Sequence, residues 1–226
     1  MKKLLLGNEA IARGAYEAGV RVSSAYPGTP STEINENVAT SPEIYSEWAP
    51  NEKVAVEVAL GAAVSGARSL ACMKHVGLNV AADPFFTATY TGVNAGMVVV
   101  VADDPGMHSS QNEQDTRMLA RASHAPVLDP SNSQECKDFL KLAYEISEKY
   151  DTPVILRVTT RIAHARTLVE LDERVEVPLR EYKRDIKKYV SMPANMIARH
   201  LYVEEREKKL AEDANTLPVS YTHLRA

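Results

Sequence analysis

The sequence predicts an α/β fold, a parallel sheet covered by helices on both faces. Three observations carry this. Short apolar runs alternate with helical patterns about six times, the mark of strand–helix–strand units joined by right-handed crossovers. One run, Gly96–Ala102 (Gly-Met-Val-Val-Val-Val-Ala), is unbroken, as in a central strand buried on both faces. Proline-rich turns and a long polar loop follow strand patterns, where open sheets of this kind place ligands.

In order, Lys3–Leu6 reads as a strand, and Asn8 as the cap of a helix to about Ala18 with Gly19 at its C′ position. Val20–Tyr26 is a second strand. Tyr26-Pro27-Gly28-Thr29-Pro30 is a stiff turn, with Thr29 or Ser31 capping the helix that starts near Pro30. Glu43–Trp48 is a strand feeding the central helix, read within Ala49–Ser69, which Pro50 precedes and Asn51 caps. Ala55, Ala59, Ala62, Ala63 and Gly66 recur on it at spacings of three and four. They predict a face bare enough for another backbone, a flat ligand or a second domain, with Val54, Val58 and Leu60 supplying bulk to the core. Ser69–His75 is a buried strand, and Gly77–Tyr90 a helix interrupted at Asp83-Pro84. Asp103–Asp115 is a long polar loop, of the kind that is usually functional or mobile. Ala125–Leu128 is a short strand, Ser131–Tyr150 a helix capped by Ser131 or Ser133, and Pro153–Thr159 a core strand.

Residues 1–167 are expected to form one domain. Residues 168–215 read as a linker and the start of a truncated next domain. Within them Pro193 lies near a helix start and Val203–Lys209 reads as a solvated face. Residues 216–226 are expected to be a non-native tail, because Val219–Ala226 continues no pattern and resembles a translated sequencing adapter.

Bulk properties exclude several function classes. The 226 residues carry a net charge of −4 with acids and bases interspersed, which argues against nucleic acid as a partner. Two cysteines, Cys72 and Cys136, make neither a disulfide framework nor a cluster-binding set. They fit a reducing compartment, and a cytoplasmic protein is expected. No stretch approaches a membrane span, and Met1–Gly7 is too short in its apolar run for a signal peptide. Asp103, Asp104 and His108 lack ligand spacing, so no metal site is expected in this chain. Neither Gly7 nor Gly28 opens the glycine-rich fingerprint of a dinucleotide site.

The central helix holds the main candidate, Glu52, in its first turn. The helix dipole favours an acid there by about 0.3–1 kcal/mol without any function. A buried acid at a strand–helix junction is also suited to proton exchange. Glu57, well round the helix, reads as a solvated control. Thr29 lies in a turn that presents hydroxyls at a strand's carboxyl end, and Lys74 and His75 end a strand, where a satisfied structural histidine is the plainer alternative.

Four stretches taken together resemble one family: Tyr26–Glu33 (Tyr-Pro-Gly-Thr-Pro-Ser-Thr-Glu), Asn51–Arg68, Met73–Pro84 (Met-Lys-His-Val-Gly-Leu-Asn-Val-Ala-Ala-Asp-Pro) and Ala102–Asp115. The set is similar to the thiamine-diphosphate-dependent 2-oxoacid:ferredoxin oxidoreductases, and within them to the α subunits of the indolepyruvate branch. The first two stretches are typical of the whole superfamily, and Lys74–Asn79 with Asp103–Asp115 point to the branch. The resemblance runs to about residue 215 and implies a pyrimidine-binding domain. It implies that Glu52 hydrogen-bonds N1′ of the cofactor's aminopyrimidine. It also implies that Thr29, Lys74, His75 and Asn79 contact substrate or cofactor, and that Arg117 or Arg121 pairs the substrate carboxylate.

The family's diphosphate-and-Mg2+ motif, a Gly-Asp pair followed by a distant Asn, is absent here, as are its cysteine-rich [4Fe-4S] motifs. The resemblance therefore implies an N-terminal third of an α subunit, inactive alone. It would need a β subunit and the missing C-terminal domains, with a 2-oxoacid, coenzyme A and ferredoxin as reaction partners. Two alternatives stay open: an oxidoreductase for pyruvate or 2-oxoglutarate, and a non-catalytic α/β binding module.

Overall fold

The computed structural model describes residues 1–217, in which six parallel strands form one sheet and two further strands pair separately. The first third of the chain holds β1 (Lys2–Leu6), α1 (Gly7–Glu17), β2 (Val22–Ala25), α2 (Thr32–Val38), β3 (Tyr45–Trp48) and α3 (Glu52–Val64). The centre holds β4 (Ser69–Lys74), α4 (His75–Val80), α5 (Ala82–Thr91), β5 (Met97–Asp103), α6 (Thr116–Ala122) and β6 (Val127–Leu128). The remainder holds α7 (Ser133–Tyr150), β7 (Val154–Thr159), α8 (Thr160–His164), β8 (Arg166–Glu170), α9 (Ile186–Tyr189) and α10 (Pro193–Ala214).

The sheet runs β3-β2-β4-β5-β7-β6, and every neighbouring pair is parallel. Because strand side chains alternate between faces, the two faces build two cores. Leu70, Cys72, Val98, Val100 and Leu156 meet Ile11 of α1, Ile34 of α2 and Leu140 of α7. Ala71, Met73, Val99, Val101 and Ile155 meet Val56 of α3, Leu78 of α4, Phe85 of α5 and Ala120 of α6. Each Leu, Ile, Val, Met or Phe among them taken fully out of water contributes about 1.5–3 kcal/mol. The expected fold class is the observed one.

Several local expectations are corrected. The first strand lies outside the main sheet: β1 pairs antiparallel with β8, from Lys2 opposite Glu170 to Leu6 opposite Arg166. The expected boundary at residue 167 falls inside β8. Asn8 does not cap α1. Leu6 takes that position, and the buried Asn8 side chain instead donates to Pro30 O at 2.8 Å and Glu33 Oε2 at 2.9 Å. The bare face of α3 is not free for another domain, since Ala55, Ala59 and Ala63 are fully buried. Small side chains let the helix sit so low on its own sheet that Ser69 Oγ donates to Ala59 O at 2.7 Å. Val56 is the buried branched residue of α3, while Val54 and Val58 are only half-buried.

The break between α4 and α5 falls at Ala81, and Pro84 sits in the first turn of α5, where its missing N–H costs nothing. Asn132, rather than Ser131 or Ser133, caps α7 by accepting from Glu135 N at 3.0 Å. In α10, Pro193 does start the helix, but Val203 and Arg206 are buried, not solvated. Arg206 Nη1 donates to Thr89 O at 2.9 Å, and burial pushes its guanidinium down to about 10. Asn51 caps α3 by accepting from Val54 N at 3.0 Å, and Gly19 takes a positive φ of 71°, both as expected.

Residues 171–185 run as an extended strap along the ends of α1 and α3. Val175 N donates to Glu17 O and Arg180 N to Gly66 O, both at 2.9 Å. Both cysteines are free and buried, and burial pushes both thiols up. Among the described residues no helix is long and apolar enough to cross a membrane. The expected non-native tail lies outside the described residues from 218 on, while Leu217 packs partly buried against the first core.

Candidate functional site

Between β2 and β4 the direction of strand succession reverses. From β2 the chain steps outward to β3, then returns across β2 to β4. The loops leaving the carboxyl ends of two such strands diverge and open a crevice. The Pro27–Ser31 turn leaves β2 on one side, and α4 leaves β4 on the other. Their approach is close: a Cβ on Gly28 would lie 3.4 Å from Lys74 Cβ. The peptide between Thr29 and Pro30 is cis. Ser31 Oγ donates to Gly28 O at 2.8 Å, while Gly28 N donates to Thr32 Oγ1 at 2.9 Å, so the turn is held by its own hydroxyls.

Glu52 comes to the same sheet edge at the amino end of α3, its backbone set by the Asn51 cap. The side chain is half-buried rather than buried, and it lies on α4 at Gly77. A Cβ on Gly77 would collide with Glu52 Oε1 and Cγ, so only glycine leaves the carboxylate its position. Among the described residues the Glu52 carboxylate has neither a hydrogen-bond donor nor a cation. Glu57 is exposed, as a solvated control should be.

Lys74 and His75 are almost fully enclosed, at 8% and 1% exposure. Lys74 Nζ donates to Ser109 O at 2.8 Å and Ser109 Oγ at 3.3 Å. Among the described residues no carboxylate pairs this ammonium, so an enclosed positive charge stands at the crevice with neutral partners only. His75 Nε2 lies 3.1 Å from Asn112 O, which can only accept, so that nitrogen carries a proton. Its Nδ1 is buried without a partner. Buried polar atoms are nearly always bonded, so one left unpaired at a sheet edge calls for an explanation.

The polar loop between β5 and α6 holds these side chains and is itself held at both ends. Asp103 accepts from Thr116 N at 3.1 Å and from Arg157 Nε at 2.7 Å, which ties the end of β5 to the start of α6. Asp104 accepts from Ser109 N at 2.8 Å, Ser110 Oγ at 2.6 Å and Thr160 Oγ1 at 2.8 Å. Burial pushes its pKa up toward the neutral form, but the Ser110, Ser109 and Thr160 hydrogen bonds outweigh that and hold the carboxyl well below the usual range.

Of the residues singled out in the sequence, Thr29 and Lys74 are joined through Ser109, His75 follows Lys74 at the start of α4, and Glu52 lies on the same helix at Gly77. Thr29 is exposed at the rim of the crevice, where its carbonyl takes Ser109 Oγ at 3.4 Å. Asn79 is exposed one turn beyond His75 on α4. Arg117 is exposed and committed to its neighbour: Nε and Nη2 grip Asp115 at 2.8 and 2.7 Å, which holds the Asp115 carboxyl down at about 2. Arg121 lines a separate cavity beside α7 and α10. Sequence reasoning missed Gly77, Ser109, Asn112 and Thr160. Only Gly77 carried a signal, a glycine two residues after a strand-end histidine.

A profile of the family described as "Pyruvate flavodoxin/ferredoxin oxidoreductase, thiamine diP-bdg" matches residues 13–220. Indolepyruvate oxidoreductase subunit IorA of Pyrococcus horikoshii is 50% identical over 229 residues, covering 97% of this chain and 35% of the relative. The IorA subunit of Methanothermobacter marburgensis is 50% identical over 216 residues, with 94% and 35% covered. The 2-oxoglutarate synthase subunit KorA of Methanothermobacter thermautotrophicus is 30% identical over 181 residues, with 76% and 48% covered. The chain thus spans about a third of the length of the IorA relatives. A solved 2-oxoglutarate:ferredoxin oxidoreductase from Magnetococcus marinus shares the fold at a TM-score of 0.76 and 20% identity, covering 93% of this chain and 45% of that one.

Proposed function

Since the chain belongs to the thiamine-diphosphate-binding family of pyruvate flavodoxin/ferredoxin oxidoreductases, we propose that it supplies the aminopyrimidine half of a cofactor site. The whole enzyme would oxidatively decarboxylate indolepyruvate, with coenzyme A taking the acyl group and ferredoxin the electrons. Indolepyruvate is preferred over 2-oxoglutarate because IorA relatives stand at 50% identity against 30% for KorA. A β subunit, the Mg2+-holding diphosphate site and the [4Fe-4S] clusters belong to parts outside this chain, and the enzyme would be cytoplasmic.

One observation carries the reading: Glu52 lies on Gly77, half-open, with no donor or cation of its own among the described residues. An acid so placed fits a ring nitrogen that must be hydrogen-bonded and protonated. When bound, thiamine diphosphate supplies the electron sink that lets a 2-oxoacid lose carbon dioxide. The chain's own residues do the rest. Glu52 holds and exchanges a proton at N1′ of the aminopyrimidine. Gly77 keeps the path to that carboxylate open. Lys74, an enclosed ammonium lacking a carboxylate, draws the 2-oxoacid's carboxylate into the crevice, since leaving a buried charge unpaired is costly. Thr29 lines the rim. Ser109 and Asn112 fix the orientation of Lys74 and His75.

The test uses a complete α subunit containing this segment, assembled with its partner subunit and loaded with thiamine diphosphate. Indolepyruvate-dependent reduction of ferredoxin or viologen is compared for wild type and Glu52→Gln. A loss of about 100-fold or more with folding intact supports the reading. Near-normal turnover overturns it and leaves Glu52 as a residue that favours its helix dipole.

A further inference from the structure

Away from the crevice, α10 and the turn after α6 bring together side chains that neither the fold nor the proposed reaction uses. One ligand atom each from His124, Glu204 and Glu207 all lie within 4.8 Å of one another. His124 Nδ1 is 2.9 Å from Glu207 Oε2. One turn earlier on α10, His200 Nε2 is 3.7 Å from Glu204 Oε1. The other nitrogen of that ring, Nδ1, is 2.9 Å from the Tyr90 hydroxyl. The rings of His124 and His200 stand edge to face, 6.3 Å apart.

We propose that these residues form a site for a divalent transition-metal ion of the Zn2+ class, which clips α10 to the body of the domain. His124, Glu204 and Glu207 are its ligands, and His200 completes it. Zn2+ takes imidazole nitrogen at about 2.0–2.1 Å and carboxylate oxygen at about 2.0–2.2 Å in a tetrahedron, which sets ligand atoms about 3.4 Å apart. The ligand atoms of His124, Glu204 and Glu207 stand within 4.8 Å of one another, and a bound ion would draw them, with His200, closer together. Two imidazoles with two carboxylates neutralise a 2+ ion and select a borderline metal over Ca2+ or Mg2+, which take oxygen.

A plain ion pair accounts for less of the arrangement. One carboxylate satisfies His124, whereas here two carboxylates three residues apart on one helix crowd the same imidazole and repel each other. The contact of Tyr90 with the far nitrogen of His200 is the support that metal-bound imidazoles ordinarily have. The metal would bridge elements distant in sequence, the turn at residue 124 and the helix from Pro193. This inference is independent of the proposed reaction.

The test takes the untagged chain, strips it with EDTA and titrates it with ZnCl2 by calorimetry, with CoCl2 as an optical probe. One Zn2+ per chain, a tetrahedral Co2+ spectrum and a raised Tm are expected. His124→Ala and Glu207→Gln should each weaken uptake tenfold or more, and Tyr90→Phe by about tenfold, with circular dichroism of the metal-free proteins unchanged. His164→Ala, remote from the cluster, should bind as wild type does. Absence of stoichiometric uptake by wild type overturns the proposal. So does uptake that survives the double variant Glu204→Gln, Glu207→Gln.

Discussion

Charge is handled in opposite ways at the two ends of the parallel sheet. At the strap end the enclosed carboxylates are shared among cations, and Arg206 is the exception, a buried guanidinium bonded only to backbone carbonyls. Glu17 is fully buried, yet it takes Arg13 Nε and Asp172 N, both at 2.8 Å, with Lys137 at 3.2 Å and Lys141 at 3.3 Å. Arg68 and Arg180 share Glu148, and Lys188 and Arg199 share Asp151. At the crevice end Glu52 has no partner, Lys74 has only neutral ones, and His75 Nδ1 is orphaned among the described residues. The strap network closes on itself and makes structure. The crevice is open-valenced, which is what a binding site looks like when read residue by residue.

That contrast can be broken first at its stable end. Glu17→Ala leaves two lysines short of a buried carboxylate and should cost about 3–5 kcal/mol, read as a fall in Tm or in the denaturant midpoint. Equality with wild type would make the strap network ornamental. Glu52→Gln should do the reverse, leaving Tm within a degree or two while turnover of the assembled enzyme falls by about 100-fold or more. Gly77→Ala sharpens the point without touching an ionisable group. Its Cβ displaces the flexible end of Glu52, so activity should drop by about ten- to 100-fold with stability nearly kept.

Asp104→Asn should be smaller still, about 1–2 kcal/mol from the lost charge-assisted bonds to Ser109, Ser110 and Thr160. Its pH dependence has a definite sign. The Asp104 carboxyl is held below its unfolded value of about 3.9. Its stabilisation is therefore complete above that value and is lost as pH falls through the lower folded one. The difference between wild type and Asp104→Asn should be full at pH 7 and close below about pH 4. Glu57→Gln, on the exposed face of α3, should move neither readout by more than about 0.5 kcal/mol.

What could be read in advance was local. The valine run of β5, the Asn51 cap, the Gly19 C′ position and Pro193 at a helix start depend on neighbours within a few residues, and the sequence states them. Glu52 was legible for the same reason, as an acid in a capped first turn. What escaped was fixed by contacts at long range. Asn8 spends its side chain on Pro30 and Glu33 instead of on a cap. The alanines of α3 showed a bare face, but not which surface would fill it. Lys74 meets Ser109 and His75 meets Asn112 only because β4 and β5 are neighbours in the sheet. In α10 the charged run hid Arg206, whose guanidinium reaches backbone carbonyls more than fifty residues away.

The pairing of β1 with β8 has a mechanical meaning. Lys2 stands opposite Glu170, and Leu171 N donates to Met1 O at 2.8 Å, so the two strand ends lie side by side. Tension applied between those ends would load the cross-strand bonds one after another, as in a zipper, rather than all at once in shear. The small sheet is therefore a tear strip. It would yield at low force and lengthen the chain, and the load would reach the parallel sheet that carries the crevice only after the strip had opened.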